Sequence, residues 1–290
     1  MHRLRFLQLD VFPARFGGGN PLGVVIDGSA LDAATMQAIA AWTNLVETTF
    51  LLPPDDPQAS YRVRIFTPTR EIPFAGHPSV GSAHAALESG LCAPQDGLLW
   101  QQCGAGTLPI RVEDQGTQRR LFVQAPAASL LETGATAATS ITPLLEGHAL
   151  APLGAALVDG GRRWWLAELA DAATLRQWRP EHAAIAQLAA ASDSMGLCLF
   201  ARENVGLAVR AFPAGAGIAE DPASGAANGL IAAFIAQRDG KDSALARGYE
   251  VSQGREMGHD AHLSVRIDAD AAIWVGGRCN SVIDGHLQWP

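Results

Sequence analysis

Residues 70–87 read "REIPFAGHPSVGSAHAAL", and from Gly76 onward almost every position is small or apolar. A helix that is apolar on all sides is buried on all sides. Starting it at Gly-His-Pro buries the unsatisfied N–H groups of its first turn as well. Residues 219–235, "AEDPASGAANGLIAAFI", repeat the layout of acidic residue, turn, glycine and apolar helix. In a chain dominated by strand-like segments, the place for such a helix is inside a curled sheet. Gly81 and Gly229 lie within the two helices, where glycine costs ~1 kcal/mol relative to alanine. Close approach of a strand backbone would account for both.

The surroundings repeat too. "VRIFTPTREIPFAGHPSVGSAHAAL" leads through a loop to "CGAGTLPIRV" and "LFVQAP". "VRAFPAGAGIAEDPASGAANGLIAAFI" leads to "QGREMGHDAHLSVRI" and "AIWVGG". Period-two alternation in "YRVRIF" and "HLSVRI" marks strands with one buried face. Residues 30–43 and 171–179 have amphipathic helix patterns. Two long copies are not a solenoid. The expected fold is therefore α+β, with duplicated domains, each a barrel-like, mostly antiparallel sheet wrapped around a central helix. The halves fall at 1–118 and 119–290, with a final strand near 280–290 packing back on the first. The low-complexity stretch 130–144 is expected to contribute the connection.

Bulk properties narrow the function. The 290 residues are 48% hydrophobic and 17% charged, a globular balance. A net charge of -8 without a lysine-arginine block argues against nucleic acid and anionic membrane surfaces. The longest apolar runs are too short to span a bilayer. "MHRLRFLQLDVF" alternates as a strand does and lacks the apolar core of a signal peptide. Cys92, Cys103, Cys198 and Cys279 form no C-x-x-C pair, so neither zinc nor a redox dithiol is signalled. Such widely spaced thiols suit a reducing compartment, and the expectation is a cytoplasmic protein.

The helix starts carry the chemistry. Their N–H groups and aligned peptide dipoles make that end positive. Pro78 suits a first helical turn, and Gly76 leaves room for a ligand to approach the backbone. In the second copy Asp221-Pro222 opens the turn, and Ser224-Gly225-Ala226 supplies a cap and exposed amides. Pointed into one crevice, the two starts would hold a small carboxylate. The plainer alternative is that His77, Asp221 and Ser224 are only caps and turn residues. Repetition at matching places favours a site. Glu47, ahead of an apolar strand, is either an exposed charge or a buried acid with a pKa raised into a useful range. Asn20-Pro21 is either a turn or a source of an amide for a polar substrate group. His84 is either a satisfied core histidine or faces a dimer partner. His259 and His262 read as loop and strand residues without metal-ligand spacing.

Taken together, "LQLDVF", "GNPLGVV", "ETTFLL", "RIFTPTREIPFAGHPSVGSAHAAL", "EDPASGAANG" and "SQGREMG" resemble the phenazine-biosynthesis PhzF family of the diaminopimelate epimerase-like fold. The resemblance runs nearly end to end. It implies an active site in the cleft between the halves, no metal or organic cofactor, and a homodimer. It also implies that Glu47 is an acid-base glutamate moving a proton on a cyclic carboxylate. His77 and Asp221 would bind and polarise that substrate, and the amides around Gly76, His77, Gly225 and Ala226 would hold its carboxylate. Epimerases of this fold use two opposed thiols, but here those positions are Ala75 and Ser224. Ala226 stands where the family often carries a hydroxyl residue. The leading expectation is a PhzF-like isomerase. Its rivals are a one-base epimerase or dehydratase of a hydroxy or amino acid, and a carboxylate-binding protein without turnover.

Overall fold

The computed structural model describes residues 1–115, 118–203, 206–240 and 243–290. The chain divides into two compact units, Met1–Gln124 with Gly276–Pro290, and Ala125–Val275. The first unit runs β1 (His2–Val11), β2 (Asn20–Ile26), α1 (Ala33–Thr43), β3 (Glu47–Leu52), β4 (Tyr61–Phe66), β5 (Glu71–Ile72), α2 (Gly76–Glu88), β6 (Leu98–Cys103), β7 (Gly106–Gln115) and β8 (Gln118–Gln124). The second runs β9 (Ser129–Thr133), α3 (Gly134–Ile141), β10 (Leu150–Asp159), β11 (Arg163–Leu169), α4 (Ala172–Gln177), α5 (His182–Ala191), β12 (Leu197–Glu203), β13 (Gly206–Phe212), α6 (Gly225–Asp239), β14 (Gly248–Gln253), β15 (Ala261–Ile267) and β16 (Ile273–Gly277). The last strand, β17 (Cys279–Trp289), returns to the first unit and pairs antiparallel with β1.

The duplication is written in the strand pairing. In the first unit β1–β2 is antiparallel, β2–β3 parallel, β3–β4 antiparallel, β4–β6 parallel and β6–β7 antiparallel. In the second unit β10–β11, β11–β12, β12–β13, β13–β14 and β14–β15 follow the same alternation. Each parallel pair needs a crossover. Within the units α1 and α2 supply two crossovers, and α4 with α5, then α6, supply their counterparts. The result is an α+β fold of duplicated, mostly antiparallel, barrel-like sheets, each around a central helix.

Those central helices are α2 and α6. Helix α2 packs against β1, β2, β3 and β8, and α6 against β10, β11 and β15. Nearly every residue from Gly76 to Ala86 is buried, as is the run from Ala227 to Ile235. The glycines inside them are needed for a different reason from the one expected. At Gly81 a Cβ would collide with the Leu22 side chain, and Val11 Cγ2 would be 3.0 Å away. At Gly229 the obstacle is the Ala125 Cβ at 2.8 Å. Side chains, from strands at Gly81 and from the segment after β8 at Gly229, approach the helices where strand backbones were expected to.

The strands expected at "MHRLRFLQLDVF", "YRVRIF", "HLSVRI" and near 280–290 are present as β1, β4, β15 and β17. Strands β6 and β14 were not legible, because their buried positions include Gln101 and Gln253, which break an apolar alternation. Residues 130–144 are also more than a connection. They complete β9 and form α3, whose Ala137 and Ile141 enter a core cluster with Trp165 and Trp178. Asn20 begins β2 instead of occupying a turn. No described helix is long and apolar enough to cross a membrane.

Helix propensity alone favours Gly229→Ala by ~1 kcal/mol. The Ala125 Cβ cannot rotate away, so the substitution should instead destabilise the protein by ~1–3 kcal/mol, in the range of core overpacking. Denaturant unfolding measures it, and addition of Ala125→Gly should recover most of the loss. A stabilised Gly229→Ala protein would contradict the packing described.

Candidate active site

In the first unit, parallel pairing sets Glu47 opposite Leu22, two residues along β2 from Asn20. Ser82 on α2 donates to the Thr49 hydroxyl at 2.9 Å, tying the glutamate's strand to the central helix. His77 Nε2 lies 3.3 Å from Glu47 Oε2, and the Asn20 amide nitrogen lies 3.4 Å from His77 Nδ1. All three residues are buried; Asn20 is fully enclosed. Sequence reasoning named these residues singly, and the fold brings them together. Asp10 on β1 fixes the loop before Asn20 by accepting from the N–H groups of Gly17 (2.6 Å) and Gly19 (2.7 Å).

Burial pushes the His77 pKa down to about 3, so its imidazole is neutral at physiological pH. Its contact with Glu47 is therefore not an ion pair, although the separation falls within ion-pair range. With the Asn20 amide donating to Nδ1, the imidazole proton sits on Nε2, on the side of Glu47. A buried carboxyl beside a neutral N–H donor is a chemically competent acid-base arrangement.

Helix α2 begins at Ala75, which offers no side-chain cap. Ser79 N bonds to the Ala75 carbonyl at 3.1 Å, and Pro78 has no N–H. The N–H groups of Gly76 and His77 are the donors left at this start. The carbonyl of Ala75 is held by a buried relay. Tyr61 donates to Gln101 (3.0 Å), Gln101 to the Ser79 hydroxyl (2.8 Å), and Ser79 to Ala75 O (2.8 Å).

The second unit builds its helix start in the same way. Ser224 Oγ caps α6 by accepting from Ala227 N at 3.3 Å, and Asn228 N bonds to Ser224 O. The N–H groups of Gly225 and Ala226 remain, with Ala226 exposed. Asp221 pairs its N–H with Ala211 O on β13 and accepts from Ala223 N through its carboxylate at 3.0 Å. Asn228 occupies the place of Ser79, donating to Ser224 O (2.8 Å) and to Gln253 (3.0 Å).

The residues missed by sequence reasoning are the supports. Gln101 and Gln253 serve equivalent helix starts from equivalent strands. A second repeated device joins an arginine to the acidic residue that opens each loop. Arg64 grips Glu71 at 2.8 and 2.7 Å, and Arg210 grips Glu220 at 2.9 and 3.0 Å. The shared "R-x-F" and the downstream glutamate are visible in sequence, but their different spacings conceal the pairing. His84 does have partners, with Ser281 Oγ at 3.3 Å and Glu88 Oε2 at 3.4 Å. His262 bonds to Glu250 at 2.9 Å. No metal-binding cluster of His, Cys, Asp or Glu occurs among the described residues.

Comparison with known proteins agrees with this architecture. The profile of the PhzC-PhzF family, described as phenazine biosynthesis-like protein, matches residues 9–285. An uncharacterized isomerase of Mesorhizobium japonicum is 32% identical, with 99% of each chain covered. The trans-2,3-dihydro-3-hydroxyanthranilate isomerase of Pseudomonas aeruginosa is 29% identical, again with 99% of each covered. The crystal structure of a PhzF-family protein from Bacillus anthracis superposes with a TM-score of 0.85 at 24% identity, covering 100% of both chains, and so shares the fold. With a duplicated sheet-and-helix fold and a match over nearly its whole length, the chain belongs to the PhzC-PhzF family of phenazine biosynthesis-like proteins and is an isomerase.

Proposed function

We propose that this isomerase moves a proton on a small cyclic carboxylate by glutamate acid-base catalysis. The observation that carries the reading is the buried Glu47 carboxyl, 3.3 Å from a neutral His77 at the uncapped start of α2. The helix-start N–H groups, those of Gly76 and His77 in one unit and of Gly225 and Ala226 in the other, are each suited to hold a substrate carboxylate. The Glu47 carboxylate takes a proton from a ring carbon, and the C–H electron pair shifts into the conjugated system. The protonated Glu47, whose carboxyl proton exchanges with solvent, then delivers a proton to a second carbon on the same face. No atoms are gained or lost, and a double bond has moved. His77 and Asp221 bind and polarise the substrate, and Asn20 fixes the imidazole. Positions 75 and 224 supply no thiol, and Ser224 already caps its helix, which favours one base over two. On the same reading the protein works in the cytoplasm as a homodimer.

Glu47→Gln keeps the shape of the carboxyl but removes its capacity to carry the proton. With trans-2,3-dihydro-3-hydroxyanthranilate as the probe, solvent-deuterium incorporation should fall by ~10²–10⁴-fold, with binding still measurable. Exchange retained at the wild-type rate would move the chemistry to another residue. Product analysis distinguishes the reaction types, since dehydration loses water and epimerisation keeps every double bond in place.

His77 also predicts a pH effect on stability. Its folded pKa of about 3 lies below the ordinary histidine value of 6.5. Between those limits the unfolded chain holds a proton that the folded one does not, so stability rises with pH and is lost on acidification. Replacing His77 by Gln should remove as much as ~1.4 kcal/mol per pH unit of that slope. Denaturant midpoints at pH 4.5 and 7 measure the difference, and identical slopes would show that the imidazole is not held neutral.

A further inference from the structure

The closing motif "SQGREMG" has no place in the proton transfer just described, yet its glutamine makes three hydrogen bonds to the α6 start. Gln253 ends β14 and is fully buried. Its Nε2 donates to Asp221 O at 2.7 Å. Its Oε1 accepts from Ser224 N at 3.3 Å and from the Asn228 amide at 3.0 Å. One side chain thus bonds to the residue before the turn, to the cap, and to the fourth residue beyond the cap. With Asp221 N already on Ala211 O, the Asp221 backbone is fixed from two strands.

The next residue supports the same segment by a different means. Gly254 has φ +85°, and a Cβ there would lie 2.7 Å from Pro222 O and 3.1 Å from Pro222 Cα. The turn after β14 therefore packs directly on the backbone between Asp221 and Ser224. Glutamine supplies directed hydrogen bonds, and glycine supplies the close approach. Both act on residues 221–224, and Gly254 in addition accepts from Met257 N and His259 N within the β14–β15 turn.

We propose that Gln253 is the positioning residue of the α6 helix start, fixing Asp221 and aiming the Gly225 and Ala226 N–H groups at the substrate carboxylate. This rests on the carboxylate-binding reading given above. By consuming the Ser224 N–H, Gln253 confines the ligand-facing donors to the next two residues. By holding the Asp221 carbonyl, it sets the direction from which the aspartate side chain reaches the substrate. Gln101 plays the corresponding part for α2 through Ser79.

The test uses the full-length, ¹⁵N-labelled protein titrated with anthranilate and followed at the Gly225 and Ala226 amides. In the wild type both resonances should move on binding. Gln253→Met keeps the volume but removes all three hydrogen bonds, and should weaken anthranilate binding by roughly tenfold or more. Gln253→Glu keeps both acceptor contacts but turns an oxygen toward the Asp221 carbonyl in place of the donor, so it too should bind more weakly than the wild type. That ordering is read on folded protein, verified by circular dichroism, where a purely structural role would lower the unfolding midpoint and leave affinity unchanged. If Gln253→Met does not fold, Gln253→Glu against wild type decides alone. Wild-type affinity in a folded variant would overturn the proposal for Gln253 while leaving the carboxylate reading intact. No movement of either amide in the wild type would overturn this inference and remove α6 from the carboxylate reading.

Discussion

A helix enclosed by its own sheet must still find acceptors for the N–H groups of its first turn, and a side-chain cap cannot take them all. Helices α2 and α6 both begin at a glycine, and in each the first two N–H groups lie outside the helix's own hydrogen-bond ladder. The rest of each unit serves to hold that start in place. Parallel pairs supply the crossovers that put the helix inside the sheet, small residues let strand side chains press against it, and a buried glutamine from the crossover strand secures the first turn. Between α2 and its neighbours this also gathers Asn20, Glu47 and His77 from three separate elements.

The duplication then explains an asymmetry. Both copies have an arginine on the strand and a glutamate on the following loop, but their environments differ. Arg64 and Glu71 are partly exposed, at 28% and 43%, whereas Arg210 and Glu220 are 4% and 10% exposed. Removing one partner of a buried pair leaves an uncompensated charge, at a cost of ~3–5 kcal/mol. The second copy is thus the more firmly committed to its loop, and that loop carries Asp221. The first copy has no aspartate there, and its buried acid, Glu47, lies on a strand. Two similar scaffolds present different side chains.

Much of this was legible in the sequence because burial and periodicity leave residue-level traces. The two all-apolar helices announced a sheet wrapped about a helix, and the repeated Gly-containing starts announced a helix start of the same build in each unit. What was not legible was polar and non-local. Gln101 and Gln253 disguise their strands by occupying interior positions that pattern reading reserves for apolar groups. The Ala125 contact that requires Gly229 comes from a residue more than a hundred positions away. Asn20 looked like a turn residue because Asn-Pro usually is one, and only the β1–β2 register shows it entering a strand. The neutrality of His77 follows from enclosure, which no local motif encodes.

The account stands on helix-start amides holding a carboxylate within reach of Glu47. A crystal structure of the protein soaked with anthranilate tests this most directly. The expected result is a carboxylate within ~3 Å of the helix-start N–H groups of Gly76 and His77, and a ring carbon next to the Glu47 carboxyl. A carboxylate held by side chains away from both helix starts, with the ring remote from Glu47, would contradict it.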